Sequence, residues 1–323
     1  MSRTTGDTRL SLTRRTILMG AAALATTRVA HAAGITLRVG DQRGGIQPLM
    51  AAAGVLRDAP YTVAWSQFAG APMLLEALNA EAIDTGGVGD APFASAVASG
   101  IPMKAVSATR ADGAVTALVV PGASPVRSVS DLKGRTIATL RGQTGHFLVL
   151  AALRRDGLSP GDVRFAFIAP SEAKAAMASG AVDAWATWGP YISLAKVEDG
   201  AREIVNGHEL MSGQSYMLAS DQAISGKRAA LADFLHRLRL AREWGLAKPE
   251  EQAKVWAEST GFSLSVARDV VNTAQTRTVA IDDTVVAAQQ RVADFFQGVG
   301  VLPRPQHVAD SFDRSFNDAV FAA

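Results

Sequence analysis

An α/β fold of two lobes, each a mostly parallel sheet flanked by helices, is predicted by three features of this 323-residue sequence. Short β-type runs alternate with helical stretches, and strands separated by helices favour parallel pairing with helices on both faces. The alternation restarts once, near residue 118. One strand–turn–helix outline also occurs twice.

Taken in order, Ile35 to Gly40, Thr62 to Phe68, Ile83 to Gly89 and Lys104 to Thr109 read as strands. Pro72 to Ala80, with MLLEALN at helical spacing, and Ala91 to Ser99, closed by Gly100, read as helices between them. After Ala117 to Val120 the second series follows: Thr136 to Leu140, Val163 to Ile168, Ala181 to Ala186 and Glu203 to Val205. From Lys227 onward the pattern is nearly all helical. Ser159-Pro160-Gly161-Asp162 has the form of a capped start. Gly134, Gly157 and Gly180 each fall where a helix end wants a left-handed residue.

The repeated outline is EALNAEAIDTGGVGDAPF (76–93) and KAAMASGAVDAWATWGPYI (174–192). Each is a helix end, an Ile/Val-Asp pair, a short strand, and Gly and Pro opening a helix, so that Asp84 corresponds to Asp183. Two lobes built this way aim a strand end and a helix start at the space between them, where open α/β sheets bind ligands.

Residues 1–32 read as an export address. An arginine pair, Arg14-Arg15, precedes the apolar run Ile17 to Ala25, and Ala30-His31-Ala32 supplies a small-residue cleavage site. The run is too short to span a bilayer, and the arginines with Ile17-Leu18 resemble a twin-arginine signal. Its removal takes five of the 32 basic residues and one of the 30 acidic ones, leaving 27 against 29. The whole-chain pI of about 9.0 therefore reflects the signal, and nothing points to nucleic acid or an anionic membrane. Cysteine is absent, which excludes disulfides, thiolate metal sites, a cysteine nucleophile and a lipid-modified N-terminal cysteine. A protein free in the periplasm is expected.

Catalytic signatures are missing. The chain has no G-x-S-x-G elbow, phosphate loop or H-E-x-x-H, and Gly207-His208-Glu209 lacks a second histidine at zinc spacing. Gly86-Gly87-Val88-Gly89 lacks the third glycine of a dinucleotide fingerprint. No catalytic residue, metal or cofactor is expected. What remains is a set of neutral helix starts, which can hold an oxyanion. Arg141 to Phe147 follows a strand. There Thr144 is a candidate cap, Gln143 and the Gly145 and His146 N–H groups are candidate donors, and His146 is expected to be neutral, or else an exposed first-turn residue. Gly89-Asp90 is the counterpart in the first lobe. Asp90 either caps its own helix or meets a cationic or hydroxyl group of the ligand. Gln42, Arg43 and Gly44 follow the first strand as donors and a close backbone approach, although arginines such as Arg43, Arg110 and Arg141 are more often solvated. Trp185 and Trp188 either cover an apolar ligand tail or pack in the core, Trp188 being the better placed for contact.

GDAPFASA, DLKGRTIATLRGQTGHFLVLAAL, VDAWATWGPYIS and SGQSYMLAS, in this order, resemble the periplasmic binding proteins of aliphatic sulfonate ABC importers, from about Ile35 to Pro303. The wider group includes taurine, nitrate and thiamine-precursor binders, and some relatives are pyrimidine-precursor enzymes with a cysteine-rich loop. The resemblance implies a type II two-lobed fold that traps a small organic anion and docks, as a monomer, on an ABC permease with its ATPase. Lobe I would comprise 33–118 plus 219–323 and lobe II 119–218, with crossings at Ala117–Pro121 and Ser215–Ser220. The head group would meet Gln42, Gly89-Asp90, Gln143 to His146, the Trp185–Trp188 loop and Ser215. Gly189 stands where relatives often have Asp, so the ligand is not transferred with the resemblance.

Overall fold

The computed structural model describes residues 34–322; the proposed signal peptide, 1–32, lies outside them. Residues from Gly34 on form one compact unit containing two mixed sheets. Among the described residues no helix is long and apolar enough to cross a membrane.

The chain begins β1 (Thr36–Gln42), α1 (Ile46–Ala53), β2 (Thr62–Phe68), α2 (Ala71–Asn79), β3 (Thr85–Gly89), α3 (Asp90–Ala98) and β4 (Met103–Arg110). It continues into β5 (Thr116–Val120), β6 (Thr136–Thr139), α4 (Thr144–Arg155), β7 (Arg164–Phe167), α5 (Pro170–Ala178), β8 (Ala184–Trp188), α6 (Pro190–Val197) and β9 (Arg202–Asn206). It then returns through β10 (Gln214–Ser220), α7 (Asp221–Gly226), α8 (Arg228–Ala247), α9 (Pro249–Thr260), α10 (Leu264–Ala274), β11 (Arg277–Val279) and α11 (Asp283–Gly298).

The first sheet runs β11-β4-β10-β3-β1-β2 and the second β7-β6-β8-β5-β9. Both are mixed, where the sequence predicts mostly parallel. β10 returns from the other sheet and inserts antiparallel between β3 and β4, and β5 enters the second sheet antiparallel to β8 and β9. The expected crossings also move. β5 is bonded along its length within the second sheet and β10 within the first, so lobe boundaries at 118/119 and 218/219 would cut intact strands. The sheet changes instead between Arg110 and Thr116 and between Asn206 and Gln214. There the two passes touch backbone to backbone: a Cβ on Gly113 would stand 2.2 Å from the Gly207 carbonyl oxygen, and one on Gly207 2.6 Å from that of Gly113.

Each sheet is covered on both faces, which is why its central strands read as apolar runs. Leu37 and Val39 meet Met50 of α1 and Leu231, Phe234 and Leu238 of α8, while α2, α3 and α11 cover the other face. In the second sheet Leu118 and Ile137 pack on α4, and Ala138 and Trp185 on α5 and α6. The halves also touch: Leu194 of α6 packs against Trp256, Val266 and Val271 of α9 and α10.

The repeated Ile/Val-Asp pair plays the same part in both sheets. Asp84 accepts the Arg38 backbone N–H at 2.7 Å and the Arg38 side chain, and its own N–H reaches the Arg38 carbonyl at 2.8 Å. Asp183 accepts the Thr136 N–H at 2.8 Å and Arg135 Nη1 at 3.1 Å, and donates to the Thr136 carbonyl at 2.9 Å. Each carboxylate pins one strand to the start of its parallel neighbour. Asp84 is 1 % exposed and also holds Lys227 Nζ at 2.7 Å. Burial alone would raise its pKa, but hydrogen bonds from Arg38 and Lys227 outweigh it and hold the carboxyl below the usual range.

Breaking a buried pair strands the remaining charges. Asp84→Ala is expected to cost about 3 kcal/mol in urea unfolding. Asp183→Ala, at a site whose side chain is 31 % exposed, is expected to cost about 1 kcal/mol; equal losses would show that burial is not what separates them.

Candidate functional site

Parallel strands deliver their carboxyl ends, and the helix starts that follow, to one edge. At that edge β1, β3, β8 and the β6–α4 loop surround a cavity of about 360 Å³ between the two sheets. Eight of the twelve residues expected at a ligand lie on it: Gln42, Arg43, Gly44, Gly89, Gln143, Thr144, Trp188 and Ser215. Asp90, Gly145, His146 and Trp185 do not.

At the end of β1, Gln42 Nε2 donates to the Gly87 carbonyl at 3.0 Å and ties that strand end to β3. Asp41, also on the cavity wall, accepts the N–H groups of Gln42, Ile46 and Gln47 at 2.9–3.0 Å. Burial raises its pKa against those three amides. This carboxylate therefore occupies the start of α1 itself. Gly44 has φ +73°, and a Cβ there would stand 2.4 Å from the Trp256 ring. Trp256 Nε1 donates to the Gly44 carbonyl at 2.6 Å, so only glycine fits.

At α4 the cap is Gln143, one residue before the expected Thr144, and its side chain makes no capping bond. The first helical bond runs from Phe147 N–H to the Gln143 carbonyl, leaving the amides of Thr144 to His146 at the positive end of the helix. Gly145 faces away because it is pressed against the Ala186 carbonyl; a Cβ would lie 2.5 Å from that oxygen.

His146 is buried behind the site. Its ring meets Phe165 and Phe167 edge-on at 5.1 Å, and its Nδ1 accepts the Gly142 N–H at 3.2 Å. Burial first, and then the charge of Arg141, push its pKa down to about 4. It is neutral, as expected of it, but it braces the loop rather than facing the cavity. Arg141 lies over the Phe167 ring at 3.9 Å.

Asp90 turns into the start of its own helix rather than toward a ligand, but as the first helical residue and not the cap, which is Gly89. One oxygen accepts Ala91 N–H at 2.7 Å and the other accepts Ser212 Oγ, so it turns from the cavity and fastens α3 to the returning pass. Gly89 remains on the wall with Thr144 against it; a Cβ would stand 2.7 Å from Thr144 Cγ2. The two tryptophans part company because a strand alternates faces and they are three residues apart. Trp185 is 1 % exposed among Met177, Val182 and Ile192. Trp188 is half-buried on the wall, edge-on to Tyr191 at 5.9 Å.

Arg242 of α8 also lies on the wall. The residue is half-buried, and burial lowers its pKa to about 10, so it stays charged at neutral pH. Nη1 donates to Thr278 Oγ1 at 3.2 Å, and among the described residues no carboxylate lies within salt-bridge distance of it. Thr109, Thr116 and Thr276 line the same space.

The family model described as "NMT1/THI5 like" matches residues 69–252. The chain belongs to the NMT1/THI5-like family. An Escherichia coli K12 relative provisionally named an aliphatic sulfonates-binding protein is 31% identical over 272 residues, 83% of this chain and 85% of its own. The structure of the alkanesulfonate-binding protein SsuA from Xanthomonas axonopodis pv. citri, bound to MOPS, is 30% identical with a TM-score of 0.81. It covers 86% of this chain and 98% of that one. The periplasmic aliphatic sulphonate binding protein SsuA from Escherichia coli is 29% identical, with a TM-score of 0.77, covering 86% and 92%.

Within this NMT1/THI5-like chain, sequence reading passes over Asp41, Arg242 and Trp256. Arg242 had a signal. Leu235, Leu238, Arg242 and Gly245 fall on one helical stripe, and a charge on an apolar stripe asks for a partner. Trp256 sits on an ordinary amphipathic face of α9 and carries no such mark.

His146 sets a pH dependence. A histidine whose folded pKa lies below its unfolded value costs nothing above about pH 6.5, and stability falls as pH drops toward 4. Between pH 7 and 5 the loss from this site is expected to be about 2 kcal/mol. His146→Phe is expected to flatten that part of the urea-stability profile; an unchanged slope would place the titration elsewhere.

Proposed function

We propose that this chain is a periplasmic solute-binding protein that captures an aliphatic sulfonate or related small organic anion and delivers it to an ABC permease and its ATPase. The carrying observation is Arg242, a full positive charge on the cavity wall without a carboxylate partner. Removing a charge from water costs several kcal/mol unless something pairs with it, and an anionic ligand supplies the pairing. The sulfonate head would lie between this guanidinium and the α4 start with Gln143 and Thr144. Neutral donors alone, as the sequence suggests, are then not the whole of the head-group site.

Trp188, Met217, Val270 and Val271 give the remaining wall an apolar character suited to a tail. About 360 Å³ is far more than nitrate needs. Among the described residues the only acidic one on this wall, Asp41, is already held by three amides, which argues against an ammonium-bearing ligand such as taurine. The names of the SsuA relatives support the same ligand class and the periplasm. The two halves close on the ligand as lobes by motion at the glycine-lined passes. The chain works as a monomer, does no chemistry, and leaves the cytoplasm by the twin-arginine route.

The test is the melting temperature of the exported form with alkanesulfonates of rising length, taurine, nitrate and sulfate esters. Ligand at a hundredfold excess over Kd stabilises by about 2.7 kcal/mol, a rise of several degrees. Alkanesulfonates are expected to give that rise, growing with chain length and exceeding taurine. Arg242→Gln is expected to lower affinity at least tenfold and Trp188→Ala to remove the length dependence. A rise with nitrate but none with any sulfonate would reject the ligand.

A further inference from the structure

A second cavity, of about 610 Å³, opens beside the first, and Arg43 and Gly44 line both. Its walls differ in chemistry. Gln47, Gln67, Ser171, Tyr191 and Thr260 border it with Arg43, and none of its lining residues is acidic. Gln67 Nε2 donates to Gln47 Oε1 at 2.7 Å, which leaves the Gln47 amide group and the Gln67 oxygen available to a ligand. Arg43 is held at the junction by the face of Phe262, 4.5 Å from its guanidinium carbon, and by one long bond to the Thr260 carbonyl at 3.4 Å. Arg43 is exposed, and no carboxylate among the described residues lies within salt-bridge distance of it.

The cleft thus holds two guanidinium groups without carboxylate partners, one on the wall of the first cavity and one where it meets the second. A methyl-ended sulfonate paired with Arg242 can lay its tail along Trp188 and Met217, but one long enough to reach the junction ends among amides, hydroxyls and a cation. We propose that the ligand is bifunctional: a sulfonate whose far end carries a second anionic group, a carboxylate or another sulfonate, paired with Arg43 at the junction. This rests on the sulfonate reading above and adds the chemistry of the far end.

The experiment is titration calorimetry on the exported form with straight-chain sulfonates of two to eight carbons, each in methyl-ended and ω-carboxylated versions. At one preferred length the ω-carboxylated ligand is expected to bind at least fivefold tighter than its methyl-ended counterpart. Arg43→Gln is expected to erase that preference and Arg43→Lys to keep part of it. The wild-type comparison stands even if a variant fails to fold. Tighter binding of the methyl-ended ligand at every length, with sulfonates still bound, overturns this inference and leaves the head-group reading intact. Equal losses for both series in Arg43→Gln, carried by the association rate, make Arg43 a steering charge and also overturn it. Binding of no sulfonate at all overturns both readings.

Discussion

Asp84 lies among two cations at the edge of the first sheet opposite the cleft, and much of the cleft takes its position from that cluster. Its bonds to Arg38 set the register of β1 against β3, whose far ends carry Gln42 and Gly89. Lys227 joins the same carboxylate and also donates to the Thr36 carbonyl at 2.8 Å, anchoring the residue before α8 to the sheet. Fifteen residues of helix then carry Arg242 about 22 Å along its axis, from the closed edge of the sheet to the ligand edge. A fully engaged charge cluster at one end thus positions a guanidinium without an acidic partner at the other.

The acidic groups near the cleft are arranged so as not to neutralise that guanidinium. Asp41 is consumed by the amides that begin α1, and Asp90 by Ala91 and Ser212. Both oxygens of each carboxylate are taken by donors within the fold, so neither is free to turn toward Arg242. The cleft is left with its positive character: two arginines and the first amides of α4. The aromatic box around His146 adds no charge, because burial keeps that ring neutral. Under the proposed reading, an anion is selected as much by the retirement of nearby carboxylates as by the presence of cations.

Much of this was legible in the sequence, and the exceptions have physical causes. Strand positions followed from apolar runs, and β2 spans the residues read for it, Thr62–Phe68. The Asp84–Asp183 correspondence was visible because local hydrogen bonding recurs with local sequence. Strand direction was not visible: nothing in SGQSYMLAS says that it inserts antiparallel between two parallel strands, since that depends on where the chain has been. Trp185 and Trp188 were separable by period two alone, whereas Asp90 required the distant Ser212. Arg242 and Trp256 reach the site from helices that the alternation treats as a tail, so their role depends on tertiary placement.

The order in which the sheets are assembled along the chain bears on how a nascent molecule acquires its function. Every strand of the second sheet lies between residues 116 and 206, so that sheet can form from one continuous stretch as it emerges. The first sheet cannot be completed then; its interior strand β10 ends at residue 220 and its edge strand β11 at 279. Closing a chain loop of that size has an entropic cost that local pairing within the second sheet avoids. Vectorial synthesis therefore favours a folded insert held by two open ends of an unfinished neighbour. The cavity wall is completed only once Arg242 and Trp256 have been made, within the last quarter or so of translation.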